Sequence, residues 1–169
     1  VELARINAFV FHGAGIADSS LKYLDAAVKV GEKDPRVMLR MAEALVWKKS
    51  IAKARGIVEA VAVKDILKEP RPWESSMRRA SLYVFLQDLP KARQAFLALA
   101  TDPRSPSTYV VTAKVYLAQL AAWNKEFAQC VAITDSVLVI SPGNVQASLI
   151  KGQVFEWQGK YAEARSAYT

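Results

Sequence analysis

Apolar residues return every three or four positions along most of this chain. Residues 36–48 (R-V-M-L-R-M-A-E-A-L-V-W-K) and 91–100 (K-A-R-Q-A-F-L-A-L-A) show the pattern, and both are rich in good helix formers. No segment alternates apolar and polar residues as a half-buried strand would. Clusters of proline, glycine or short polar residues interrupt the helical pattern at 13–15, 34–35, 69–72, 102–106 and 141–144. Breaks that recur along the whole chain point to an internal repeat.

The small residues make that repeat measurable. Ala8 lies twelve residues before Ser20, Ala42 before Ala54, Ala80 before Ala92, Ala118 before Cys130 and Gly152 before Ala164. The first members are separated by 34, 38, 38 and 34 residues, which gives about five units. Three residues after each first member stands Phe11, Leu45, Tyr83, Ala121 or Phe155, all apolar. Four residues after each second member stands Leu24, Val58, Phe96, Thr134 or Tyr168, apolar in four of the five. A small residue lets two helix backbones approach, and a larger one a turn away fills the space beside the contact. The pattern predicts antiparallel helix pairs.

Gly152, Phe155, Gly159, Tyr161, Ala164 and Tyr168, following Pro142, resemble the tetratricopeptide repeat, a 34-residue helix pair. The resemblance extends over practically the whole chain and is clearest in the fifth unit. It implies an all-α fold: a right-handed α-solenoid of about five helix pairs, with repeats near 1–34, 35–72, 73–110, 111–144 and 145–169. The first unit departs at Ala17, where the family places an aromatic. The family's tryptophan and leucine positions in the first helix hold Ala4 and Asn7, Ser76 and Arg79, Lys114 and Leu117, or Ser148 and Lys151; only Leu117 matches. Units two and three each carry about four extra residues, expected in the connections at 65–72 and 102–106. Repeat arrays end in a helix with a polar outer face. This sequence stops at Tyr168-Thr169 inside the second helix of its last unit, so the natural protein is expected to continue.

Composition narrows the function classes. The 169 residues are 52% hydrophobic, with seven glycines and seven prolines, and no low-complexity tract marks a disordered tail. The single cysteine, Cys130, excludes an internal disulfide and a cysteine-based metal site. The longest apolar runs fall far short of the roughly 20 residues that span a bilayer. The sequence holds no H-E-x-x-H, phosphate-binding glycine loop or nucleophile elbow, so no catalytic residue, metal or cofactor is expected. The one histidine, His12, is placed near a helix C-terminus, where it suits the dipole better than it suits general-base chemistry. Cys130 is expected to be a buried, inert thiol.

A binding surface remains. In the family, positions two, five, nine, twelve and thirteen of each repeat meet ligand on the concave face. Position thirteen here reads Gly13, Trp47, Phe85, Trp123 and Trp157. These rings form either a ladder along the groove or packing between neighbouring units. Arg40 and Arg78 occupy equivalent places in units two and three, either clamping carboxylates or lying on a solvated basic face. The clamp residues of the family's chaperone-binding members are not matched. Tyr116 and Gln153 complete the candidate groove set. The net charge of +7 is scattered over both helices of each unit, unlike the dense stripe that nucleic acid requires.

Two functions follow from these features. The first is a non-catalytic scaffold that binds a partner protein or peptide and positions it in a larger assembly. The alternative is a module of a bacterial exopolysaccharide synthesis or export system that contacts glycan or a glycan-modifying enzyme. It rests on W-Q-G-K-Y-A-E-A and A-L-V-W-K-K, which resemble repeats of periplasmic exopolysaccharide-secretion proteins. The scaffold reading fits periplasm or cytoplasm; the export reading favours the periplasm.

Overall fold

The computed structural model describes residues 17–29 and 33–169. Ala8, Phe11, His12, Gly13 and Gly15 lie outside them. The described residues form helices joined by short turns, with no strand among them. They group into two compact units, Val1–Asp88 and Leu89–Thr169. The first unit holds α1 (Ala17–Lys29), α2 (Pro35–Trp47), α3 (Ile51–Ala60), α4 (Val63–Ile66) and α5 (Pro72–Phe85). The second holds α6 (Leu89–Thr101), α7 (Ser107–Trp123), α8 (Phe127–Ile140), α9 (Val145–Trp157) and α10 (Tyr161–Tyr168).

Within each unit the packing follows one rule. The first helix of a repeat touches its own second helix, the second helix of the preceding repeat and the first helix of the next. In the first unit α2 therefore packs on α1, α3 and α5, and in the second unit α7 packs on α6, α8 and α9. The small residues lie at the close approaches. Ala42, Ala54, Ala80, Ala92, Ala118 and Cys130 are completely buried, and Gly152 and Ala164 are buried with them. The larger partners Leu24, Val58, Phe96 and Thr134 are also fully buried. Thr134 fits this apolar position because its hydroxyl donates to the Val131 carbonyl at 2.8 Å.

Helix boundaries follow from local chemistry. Asp34 caps α2 by accepting the Arg36 amide at 2.8 Å, and Pro35 occupies the first turn, where no donor is lost. Asn144 caps α9 through the Ala147 amide at 2.9 Å. α2, α5, α7 and α9 all end on the position-thirteen aromatic and turn through the same C-terminal motif. Ser50, Asp88, Glu126 and Lys160 each donate a backbone N–H to the carbonyl five residues back, on Leu45, Tyr83, Ala121 and Phe155. That turn needs a left-handed residue, supplied by Lys49, Gln87, Lys125 and Gly159 with φ between 59° and 72°.

The extra residues differ from the sequence expectation in one place. In unit two they include the short helix α4. In unit three the insertion does not lie in the connection at 102–106. The four added residues, 107–110, form a first turn of α7, which runs 17 residues against 13 for α2 and α9. Pro106 directly precedes that turn, and its fixed φ of −58° suits helix entry.

The departures at the family's leucine position also have a physical account. The Arg79 guanidinium lies 5.1 Å from the centre of the Tyr83 ring, and Lys151 Nζ lies 5.9 Å from that of Phe155. A cation over an aromatic face replaces the aliphatic contact, while the stems of the long side chains still cover apolar surface. Where leucine is kept, as Leu117, the facing residue is the small Ala121.

Candidate functional site

The four described position-thirteen rings are accessible. Trp47 is 47% exposed, Phe85 60%, Trp123 52% and Trp157 55%. Their place at the last residue of each first helix explains this, because the helix ends before a neighbour can cover the ring. They are not bare either. Trp157 tilts against Phe127, at the start of α8, with ring centres 6.1 Å apart and planes 50° apart.

Arg40 and Arg78 come together at the contact of α2 with α5, but with carboxylates of their own. Arg78 pairs with Glu43 and approaches Glu74 at 3.8 Å, and Arg40 approaches the same Glu74 oxygen at 3.8 Å. Burial, and then the neighbouring Arg78, hold the Arg40 pKa below its usual value. The cluster of two guanidiniums and two carboxylates is formally neutral. An incoming carboxylate competes with Glu43 and Glu74 rather than meeting an open clamp.

Tyr116 and Gln153 line a common groove. α7 and α9 enclose a pocket of about 280 Å³ bounded by Val115, Tyr116, Gln119, Gln146, Leu149, Ile150 and Gln153. Tyr116 stacks on the buried Phe96 at 4.6 Å with planes 5° apart, which fixes its ring at the rim. In the first unit a wider opening of about 690 Å³ lies among α1, α2 and α3, with Met38, Met41, Leu45 and Ile57 on its walls and Lys22, Asp25 and Lys53 at its edge.

Sequence reasoning missed a second pair of contacts, which recurs. Arg55 donates to the Leu86 carbonyl at 2.6 Å and lies 3.5 Å from Asp88. Arg93 makes a two-pronged contact with Glu126 at 3.0 and 2.8 Å. The hydrogen bond to Glu126 raises the Arg93 pKa, and the same bond lowers that of Glu126. Arg55 and Arg93 are 38 residues apart, as are Asp88 and Glu126. That shared period is the signal that would have revealed both pairs.

Cys130 is completely buried, and burial pushes its thiol up to about 11. Among the described residues no group of His, Cys, Asp and Glu side chains is arranged to hold a metal ion. None of the described helices is long and apolar enough to cross a membrane.

This architecture is a tetratricopeptide-repeat fold. Residues 41 to the end of MamA from Desulfovibrio magneticus RS-1 superpose with a TM-score of 0.76 at 14% identity, over 99% of this chain and 90% of that one. PilF from Pseudomonas aeruginosa gives 0.78 at 13% identity, over 99% of this chain and 72% of that one. A tetratricopeptide repeat protein from Parabacteroides merdae gives 0.74 at 16% identity, over 98% of this chain and 63% of that one. At these identities the likeness is one of fold. No protein-family model and no curated protein matches the sequence. The likeness to exopolysaccharide-secretion repeats finds no support in these three structures.

Proposed function

We propose that this chain is a non-catalytic interaction scaffold that binds a protein partner along the surface formed by its first helices. The observation that carries the reading is the accessible aromatic ending each of α2, α5, α7 and α9. Large rings left half exposed at one repeat position offer contact area at low entropic cost. The repeat fold supports it too, because stacked helix pairs present extended side-chain surfaces to partners.

The test immobilises the 169-residue chain, exposes it separately to soluble and envelope extracts, and identifies retained proteins and sugars by mass spectrometry. A Trp47→Ala/Trp123→Ala variant with unchanged melting temperature serves as the control. One protein retained by the native chain and lost with the variant supports the scaffold. Glycan retained in place of protein moves the reading to the export module, and equal retention by both forms removes the rings from the site.

A further inference from the structure

α2, α5, α7 and α9 end on an aromatic that is followed, two residues on, by the left-handed residue of the turn. That residue is Gly159 after Trp157 and Gln87 after Phe85, but lysine after Trp47 and Trp123: Lys49 with φ 59° and Lys125 with φ 60°. Glycine adopts this backbone freely, whereas a side chain strains it. Strain of this kind, relieved by a single change to glycine, points to a use for the side chain.

The two lysines have matching surroundings. Both are exposed, and each adjoins a ring that is about half exposed, Trp47 at 47% and Trp123 at 52%. Neither ammonium group is held by a hydrogen bond or ion pair among the described residues. Residues 44–58, around Lys49, include no acidic side chain. Glu126, next to Lys125, is taken by Arg93 in its two-pronged contact at 3.0 and 2.8 Å. Each unit therefore presents a tryptophan and an uncompensated cation whose Cα atoms are no more than about 7 Å apart. Trp157 lacks such a pair, because Gly159 has no side chain and Lys160 lies over the Phe155 ring at 6.0 Å.

Resting on the scaffold reading, we propose that Trp47 with Lys49, and Trp123 with Lys125, are two-point contacts for a protein partner in which an acidic side chain adjoins an apolar one. The apolar group lies on the ring and the carboxylate pairs with the ammonium. Charge complementarity selects this occupant: the chain carries a net +7, the cation stands in a fixed turn beside the ring, and a basic segment would be repelled. The contact sits at the turns that end the first helices, and its cation comes from the turn rather than from a helix face. An exposed ion pair adds little affinity, so its effect is to discriminate between partners.

The test follows the indole N–H signals of the nitrogen-labelled 169-residue chain, which has four tryptophans, during titration with decapeptides. The peptides are built from Gly and Ser around Leu-Glu, with Leu-Gln and Leu-Lys as matched sets. Leu-Glu is expected to shift the signals of Trp47 and Trp123 and leave Trp73 in place. At low salt it should bind roughly two- to fivefold more tightly than Leu-Gln, on the scale of one exposed ion pair, and Leu-Lys should bind least. That preference should vanish in Lys49→Gln/Lys125→Gln at an unchanged melting temperature, and in Lys49→Gly/Lys125→Gly at a raised one. A more stable variant that binds less selectively separates the use of the lysines from any role in folding. Equal affinity of the native chain for all three peptides, or a preference that survives Lys49→Gln/Lys125→Gln, overturns the proposal and leaves the rings and the scaffold standing. No shift at Trp47 or Trp123 with any peptide overturns it and also removes support from the scaffold.

Discussion

The ring of Tyr168 lies against Gly152, so closely that a Cβ on Gly152 would stand only 2.1 Å from the nearest ring carbon. The two residues sit on α9 and α10, at the places that Ala118 and Thr134 hold on α7 and α8. A glycine here lets an aromatic fill the space that an alanine shares with a smaller side chain. Tyr168 is 41% exposed, so in Gly152→Ala its ring is expected to shift toward solvent, and the better helix propensity of alanine to offset part of the cost of the displaced ring. Gly152→Leu is expected to cost about 1–3 kcal/mol through overpacking, read as a lower urea midpoint.

Cys130→Leu has no such relief. The site is fully buried between α7 and α8, and the same overpacking should cost about 1–3 kcal/mol. The native thiol, held near 11, is mostly protonated at pH 8, so an aromatic disulfide reagent should react slowly until urea opens the unit. Fast labelling without denaturant would place Cys130 at the surface.

Three of the four helix-terminal turns use a side-chain-bearing residue where the backbone is left-handed, Lys49, Gln87 and Lys125, with φ near 60°. Gly159 meets the same requirement without steric cost. Lys125→Gly should therefore raise stability by about 0.5–1 kcal/mol, and Gly159→Ala should lower it by about 1 kcal/mol. Urea titration of both variants checks the pair; a loss of stability in Lys125→Gly together with no loss in Gly159→Ala would show that these turns are not under strain.

Glu69 supplies a pH signature. Ser75 donates to one carboxylate oxygen at 2.7 Å, while the other is buried without a hydrogen bond. Burial raises the Glu69 pKa above its usual 4.5; Asp34 and Glu74 add to the rise, and Ser75 and Arg36 oppose it. The folded state thus holds this proton more tightly than the unfolded chain does. Its contribution falls as pH rises from 4.5 through the higher folded value and is lowest above it. Glu69→Gln keeps an acceptor for Ser75 and removes the charge. It should raise the melting temperature at pH 7 and flatten the loss of stability just above pH 4.5.

Much of this fold was legible because its determinants are periodic. The twelve-residue pairing of Ala42 with Ala54 and of Ala118 with Cys130, and the breaks around Pro35, Pro72 and Pro142, mark helices and turns directly. The rings at Trp47, Phe85, Trp123 and Trp157 shared one register, but their exposure was not legible, since the same period suits core and surface alike. The fate of Arg40 and Arg78 was hidden for another reason: their carboxylates come from different helices, Glu43 on α2 and Glu74 on α5. The added turn of α7 escaped because Pro106 reads equally as part of a longer loop or as the residue before a helix.

The most direct test of the scaffold account compares Trp123→Ala with the native chain in two measurements on the same samples, the urea midpoint and the affinity for the partner recovered from extract. A ring 52% exposed at the end of α7 should cost less than about 1 kcal/mol of stability when truncated, while partner affinity falls roughly tenfold or more. A loss of several kcal/mol in stability with affinity unchanged would make Trp123 a packing residue and contradict the account.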